Sequence, residues 1–187
     1  MLRLTLLLIL FCLSAVSTST FAQGPSGKQS AQNSTMTVKV YFGNSKRNPN
    51  AEPCSLVFAV NRVVPKSAGV ARAALEQLFA GPTEKEKAEG YHSWFSPASA
   101  GILKSVVVKN KKAYVNFKPD VFAILPGAVS TSCGGSEFMA EMERTLLQFP
   151  TIKKVFFAVN GNPQDFYEFL QGECPEELKN CDGSDFQ

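Results

Sequence analysis

Between Thr37 and Phe42 apolar and polar residues alternate, with valine and aromatic side chains on the apolar positions, the period of a strand with one buried face. A polar stretch from Gly43 to Pro53, containing Asn48-Pro49-Asn50, reads as a long loop, and Ser55 to Val64 predicts a second strand ended by Pro65. The period then lengthens. Val70, Ala74 and Leu78, with Ala71, Leu75 and Phe79, recur at helical spacing, Ser67 is placed to cap that helix, and Gly81-Pro82 stops it. Thr83 and Glu86 form a capping-box pattern that starts a short charged turn ending at Gly90, and the aromatic run Tyr91-His92-Ser93-Trp94-Phe95 follows at once.

Further along, Ile102 to Lys109 and Ala113 to Phe117 flank Asn110-Lys111-Lys112 and predict a hairpin, with Ala113, Val115 and Phe117 on one face. A short apolar segment, Val121 to Leu125, precedes a small-residue loop from Pro126 to Gly135. Ser136 is placed to cap a second helix whose row of Phe138, Met142, Thr145 and Phe149 is thickened by Met139 and Leu146 and stopped by Pro150. Lys153 to Val159 predicts the last strand, and Asn162-Pro163 opens a short terminal helix containing Phe166, Tyr167, Phe169 and Leu170. The order strand, strand, helix, hairpin, helix, strand predicts an α+β domain, with a mixed sheet of about five strands and two main helices packed on one face.

The N-terminal pattern changes the compartment. Leu2 to Val16 is an apolar block with Arg3 ahead of most of it, and small residues at Thr20 and Ala22 predict a signal peptide over residues 1–22, cut after Ala22. The block is short for a bilayer span, so no transmembrane anchor is expected in the mature chain. Lipidation of Cys12 is disfavoured by the bulky Phe11 before it. Residues 23–35, mostly Gly, Ser, Gln, Asn and Pro, read as a flexible linker, 36–170 as one domain and 171–187 as a cysteine-containing tail. The expected location is extracytoplasmic. The formal charge of +3 is close to balance and argues against a nucleic-acid partner.

Of five cysteines, removal of the leader leaves Cys54, Cys133, Cys174 and Cys181, an even number that favours disulfides in an oxidising compartment. Three pairings are open; Cys54 with Cys133 and Cys174 with Cys181 is favoured, because the last two close a short tail loop. Cys133 just before a helix also sits where a thiol would be acidified, which is the alternative of a nucleophile, and a four-cysteine metal site lacks any C-x-x-C spacing. His92 is the only histidine, so a serine triad would have to use it. Gly134-Gly135 lacks the Lys-Ser/Thr of a phosphate loop, and Asn160-Gly161-Asn162 and Asp182 to Asp185 lack the spaced carboxylates of a calcium loop. No cofactor or metal is expected. Tyr91, Trp94 and Phe95, with Phe166 and Tyr167, are the candidate binding surface, since aromatic side chains anchor sugar and protein contacts, with core packing as the competing fate.

Several ordered motifs together resemble a known family. Gly81-Pro82-Thr83, the G-Y-x-S of Gly90 to Ser93, A-Y-V-N-F at Ala113 to Phe117, T-L-L-Q-F-P-T-I-K-K-V at Thr145 to Val155 and Val159-Asn160-Gly161 are similar to the GerMN domain of sporulation and spore germination proteins, also called germane. The resemblance covers roughly residues 38–161. It implies a small extracytoplasmic α+β module of the bacterial envelope with no established catalytic residues. The function expected from it is an exported, non-enzymatic module that binds a cell-wall polymer or envelope protein. Two alternatives stand beside it: a wall-directed hydrolase using Glu86, Glu89, Asp120 or Glu141, and a structural protomer that builds homo-oligomers through a sheet edge.

Overall fold

Strand β1 (Thr35–Asn44) pairs antiparallel with β2 (Phe58–Pro65), from Thr35 opposite Pro65 to Phe42 opposite Phe58. Alternation puts Val38, Val40 and Phe42 inside and leaves Thr37 and Lys39 exposed. This is a computed structural model that describes residues 34–67 and 69–187. The signal-peptide assignment, Cys12 and the linker up to Asn33 lie outside the described residues. The linker reading gives way at its end, because Thr35 already belongs to β1 and the amide of Lys66 donates to the Ser34 carbonyl at 2.8 Å.

Helix α1 (Val70–Phe79) buries Ala71, Ala74, Leu75, Leu78 and Phe79, the stripe its spacing predicts. Its cap is Gly69 rather than Ser67, with no side-chain cap bond. Gly81, at φ +74°, ends the turn and lies against the Phe95 carbonyl, where a Cβ would meet backbone. The capping box of Thr83 and Glu86 opens α2 (Glu84–Ala88) as read, and Glu86 also takes both arms of Arg62 on β2. Burial alone would raise the Glu86 carboxyl, but Arg62 and Thr83 together hold it below the usual range.

After α2 the chain adds a strand that the aromatic run concealed, β3 (Tyr91–His92), which pairs antiparallel with Gly43 and Asn44 of β1. The hairpin follows as β4 (Leu103–Lys109) and β5 (Lys112–Phe117), joined by Asn110 and Lys111, both at positive φ, in the manner of a tight two-residue turn. A one-turn helix α3 (Val121–Ile124) leads to α4 (Ser132–Leu147), which begins four residues before Ser136: Thr131 is the cap, its hydroxyl accepting from the Gly134 amide at 3.1 Å. Strand β6 (Lys154–Val159) returns parallel to β5, and α5 (Pro163–Phe169) is capped by Asn162.

The single sheet of about five strands is corrected to two sheets of three, β2-β1-β3 and β4-β5-β6. The physical reason lies on β1. Ahead of the short pairing with β3, its edge away from β2 is closed by a helix instead of a strand: the Gln148 carboxamide accepts from the Lys39 amide at 2.8 Å and donates to the Lys39 carbonyl at 2.6 Å, and Thr145 Oγ1 accepts from the Tyr41 amide at 3.1 Å. Backbone groups on that edge are thereby satisfied by side chains. The helices α1 and α4 pack on each other, and each touches both sheets, α1 through β1 and β4, α4 through β1 and β6.

Residues 171–187 do more than trail. Phe186 is 1% exposed and meets Tyr114 of β5 edge-on at 5.3 Å, its carbonyl accepts from Ser105 and Asn116, and Leu178 is buried. The buried apolar side chains all fall between Val38 and Phe186, so the compact unit Asn33–Gln187 carries its own core among the described residues.

Candidate functional site

The five aromatic candidates do not make a contact surface in the structure. Phe95 and Phe166 are about as buried as any residue (2% and 1% exposed), Tyr91 and Tyr167 are buried, and Trp94 is half-buried against the same core. Phe95 packs between Phe79 and Phe138 at 4.7 and 5.2 Å between ring centres, and Phe166 stacks on Phe117 and Phe157 at 5.6 and 4.9 Å. Burying that much apolar area is worth more than presenting it to water, about 25 cal/mol per Å2. The Tyr167 hydroxyl reaches back to the Phe157 amide, and burial pushes it up to about 12.

The structure gathers a polar cluster beside these rings instead. Two carboxylates one turn apart on α4, Glu137 and Glu141, each grip one of two consecutive residues at β3. His92 Nε2 lies 2.8 Å from Glu137 Oε1, and Ser93 Oγ donates to Glu141 Oε2 at 2.8 Å while accepting from the Phe95 amide at 3.0 Å. Gly43 of β1 passes so close that a Cβ there would collide with both Glu137 and His92. Glu141 is fully buried. Among the described residues its Oε1 has no hydrogen-bond partner, and neither has the buried Trp94 Nε1. Burial, reinforced by the nearby Glu137 charge, holds the Glu141 carboxyl well above the usual range, against the opposing pull of Ser93 and the amides of Gly43 and Trp94. The bond to Glu137 raises the His92 imidazole, against a smaller opposing effect of burial.

A Ser-His-acid triad places the serine against the histidine, whereas here the Ser93 hydroxyl donates to Glu141 and His92 engages Glu137. Of the other hydrolase candidates, Glu86 on α2 is held by Arg62, Glu89 is exposed at the end of the same helix, and Asp120 is exposed before α3. Among the described residues, no three His, Cys, Asp or Glu side chains converge as a metal site would require.

The cysteines pair as Cys54 with Cys133, Cα atoms 5.4 Å apart, and Cys174 with Cys181, 5.6 Å apart. Cys133 therefore presents no free thiol. The first bridge pins the loop after β1 to the first turn of α4, next to Glu137 and His92.

Among the described residues, β2 is the outer strand of its sheet. Since Lys39 and Tyr41 direct their backbone groups away from β2, their antiparallel neighbours Asn61 and Ala59 direct theirs away from β1, and so does Val63 opposite Thr37. These three residues also carry exposed, uncharged side chains, and Val63 is 71% exposed.

With this architecture in view, a family model described as "Germane: Sporulation and spore germination" matches residues 39–165. The chain belongs to the germane family. The match spans the domain from β1 into α5, leaving Phe186 and the Cys174–Cys181 loop beyond it. Among solved structures, the germane chain is similar to the tandem GerMN domains of the sporulation protein GerM from Bacillus subtilis, with 21% identity and a TM-score of 0.51, covering 76% of this chain and 44% of that one. The first GerMN domain of the same protein matches at 20% identity and a TM-score of 0.48, covering 75% of this chain and 92% of that one. At 21% identity the likeness to the tandem structure speaks to fold alone. This germane chain thus spans less than half of the tandem structure. No curated protein matches.

Proposed function

We propose that this germane chain is an exported, non-enzymatic module that binds an extended segment of another cell-envelope protein at the β2 edge. The observation that carries the reading is the asymmetry of the β2-β1-β3 sheet: the β1 edge away from β2 is closed by Gln148, Thr145 and β3, while among the described residues the outward backbone groups of Ala59, Asn61 and Val63 have no partner and their side chains are exposed and uncharged. An unpaired edge without charges is the arrangement that accepts an added strand. Export rests on the leader pattern and on the disulfides, and a place in sporulation or germination rests on the description of the family. The cluster at β3 supports a structural role, because each of its side chains is engaged by a neighbour that holds the fold.

Asn61→Pro tests this. It removes an outward N–H without removing a bond to β1. Cross-linking in the native envelope is expected to capture a protein partner with the wild-type chain and to lose it with Asn61→Pro, while the melting transition stays cooperative. Capture that survives the substitution would sink the edge reading. A mass that rises with concentration would instead assign the edge to self-assembly.

A further inference from the structure

The outer face of the β2–β1 ladder carries a charge pattern centred on the free edge. Val63 stands opposite Thr37, Asn61 opposite Lys39 and Ala59 opposite Tyr41. Directly opposed residues share a face, so these six side chains make up the side of the ladder away from Val38, Val40 and Phe42, which are turned into the core. Val63, at 71%, is the most exposed of the large apolar side chains among the described residues. At the other end Tyr41 lies half-buried beside the small Ala59, with the Arg144 guanidinium over its ring at 5.7 Å. Between these two apolar ends sits a cation. The strands β1 and β2 contain no acidic residue, and their only charged side chains are Lys39 and Arg62. Arg62 is paired with Glu86 on the core side, beside Phe42. The exposed Lys39 has no carboxylate partner among the described residues, and neither has Arg144.

We infer that the strand added at β2 is an acidic one, with a carboxylate opposite Asn61 and an apolar residue two positions to either side. Strand addition at this edge, the reading on which this rests, puts every second side chain of the partner beside Ala59, Asn61 and Val63 on the outer face. Neighbouring strands lie about 4.8 Å apart, so the partner stands about 10 Å from β1. Across the short Asn61 side chain, a glutamate reaching one way and Lys39 reaching the other close that gap. A β-branched or aromatic residue beside Val63 covers its exposed surface, and one beside Ala59 extends over that small residue towards the ring of Tyr41. The pattern apolar-x-acid-x-apolar reads the same in both directions, so it serves parallel and antiparallel addition alike. A lysine or arginine at the central position would meet Lys39 with like charge and no carboxylate to offset it, which selects against basic segments.

The test uses the Asn33–Gln187 unit, which carries its own core, with disulfides intact. The probes are three peptides, Thr-Val-Thr-X-Thr-Val-Thr with X glutamate, glutamine or lysine, each with an N-terminal dye and a C-terminal amide, titrated by fluorescence anisotropy at low salt. An exposed cross-strand ion pair, set against the like-charge contact that replaces it, gives about a 3- to 10-fold preference for the glutamate peptide over the lysine peptide, with glutamine between them. The spread is expected to shrink as salt rises. Lys39→Glu reverses the order, and Val63→Ser weakens all three peptides alike; both residues are exposed, so each variant keeps a cooperative melt. Equal affinities for the three peptides, an order that Lys39→Glu leaves unchanged, or binding of none overturns the inference. Asn61→Pro separates it from the edge reading. Loss of all three peptides in that variant, with equal affinities in the wild type, keeps strand addition and removes the acidic pattern, whereas binding that survives Asn61→Pro removes strand addition at β2 and the pattern with it.

Discussion

Replacing Glu141 by Gln should change how stability depends on pH, and the sign follows from the burial of that carboxylate. Glu141 is raised in the folded state from 4.5, first by burial and then by the charge of Glu137. A group whose folded pKa exceeds its unfolded value contributes stability that is complete below the unfolded value and lost as pH rises through the folded one, at up to about 1.4 kcal/mol per pH unit. His92, raised from 6.5 by Glu137, and Glu143, raised by burial, act with the same sign. Glu86, Glu177 and Asp185 are lowered and act with the opposite sign, but their window lies below about 4.5. Between about pH 5 and about pH 8 the wild-type domain is therefore expected to lose stability steadily.

Glutamine keeps an acceptor for the Ser93 hydroxyl and places an amide where Oε1 stands without a partner. Near pH 5 the variant should lie below the wild type by about 1–2 kcal/mol, the cost of that unsatisfied donor. As pH rises the wild type alone must bury a charge or bind a proton against the gradient, so the two curves approach and cross. Urea melts at a series of pH values measure this directly, with the m-value held as a check that the same surface is exposed. Parallel curves for Glu141→Gln and wild type across the window would refute the reasoning, since they would mean that Glu141 titrates alike in both states.

Two further outcomes concern the C-terminal ring and the disulfides. Phe186→Ala removes a fully buried ring from the face of Tyr114 and should lower stability by about 3–5 kcal/mol in thermal or urea melts, which a passive tail would not do. The two disulfides close loops of very different size, with sequence separations of 79 and 7, so loop-closure entropy assigns about 4–5 kcal/mol to Cys54–Cys133 and about 2–3 kcal/mol to Cys174–Cys181. Melts of the corresponding double-serine variants should therefore rank the first well below the second, and equal losses would contradict that account.

The period-2 and period-3.6 patterns were enough to find β1, α1, the hairpin and β6, because in each the buried stripe is carried by consecutive periodic residues such as Val38, Val40 and Phe42 or Ala71, Ala74, Leu75 and Leu78. The start of α4 was hidden by Gly134-Gly135, which have low helix propensity, and Thr131 supplied the cap there. The aromatic run was misleading for a different reason: Tyr91 and Phe95 satisfy the core, and β3 is held by neighbours distant in sequence. Glu141 had a legible signal. It stands three residues after Phe138 and four before Thr145, inside the buried stripe, and a carboxylate in that position demands a donor such as Ser93. The division of the strands into two sheets had none, since the hydrogen bonds of Gln148 to Lys39 span a separation of 109 residues.

That single carboxamide has a consequence for how such domains can be joined. A strand with both edges free can propagate a chain of molecules, as fibrils do, whereas Gln148 and Thr145 occupy the edge of β1 at Lys39 and Tyr41. A strand cannot add to β1 beside Lys39 and Tyr41, so growth of the sheet on that side is stopped by the side chains at positions 145 and 148.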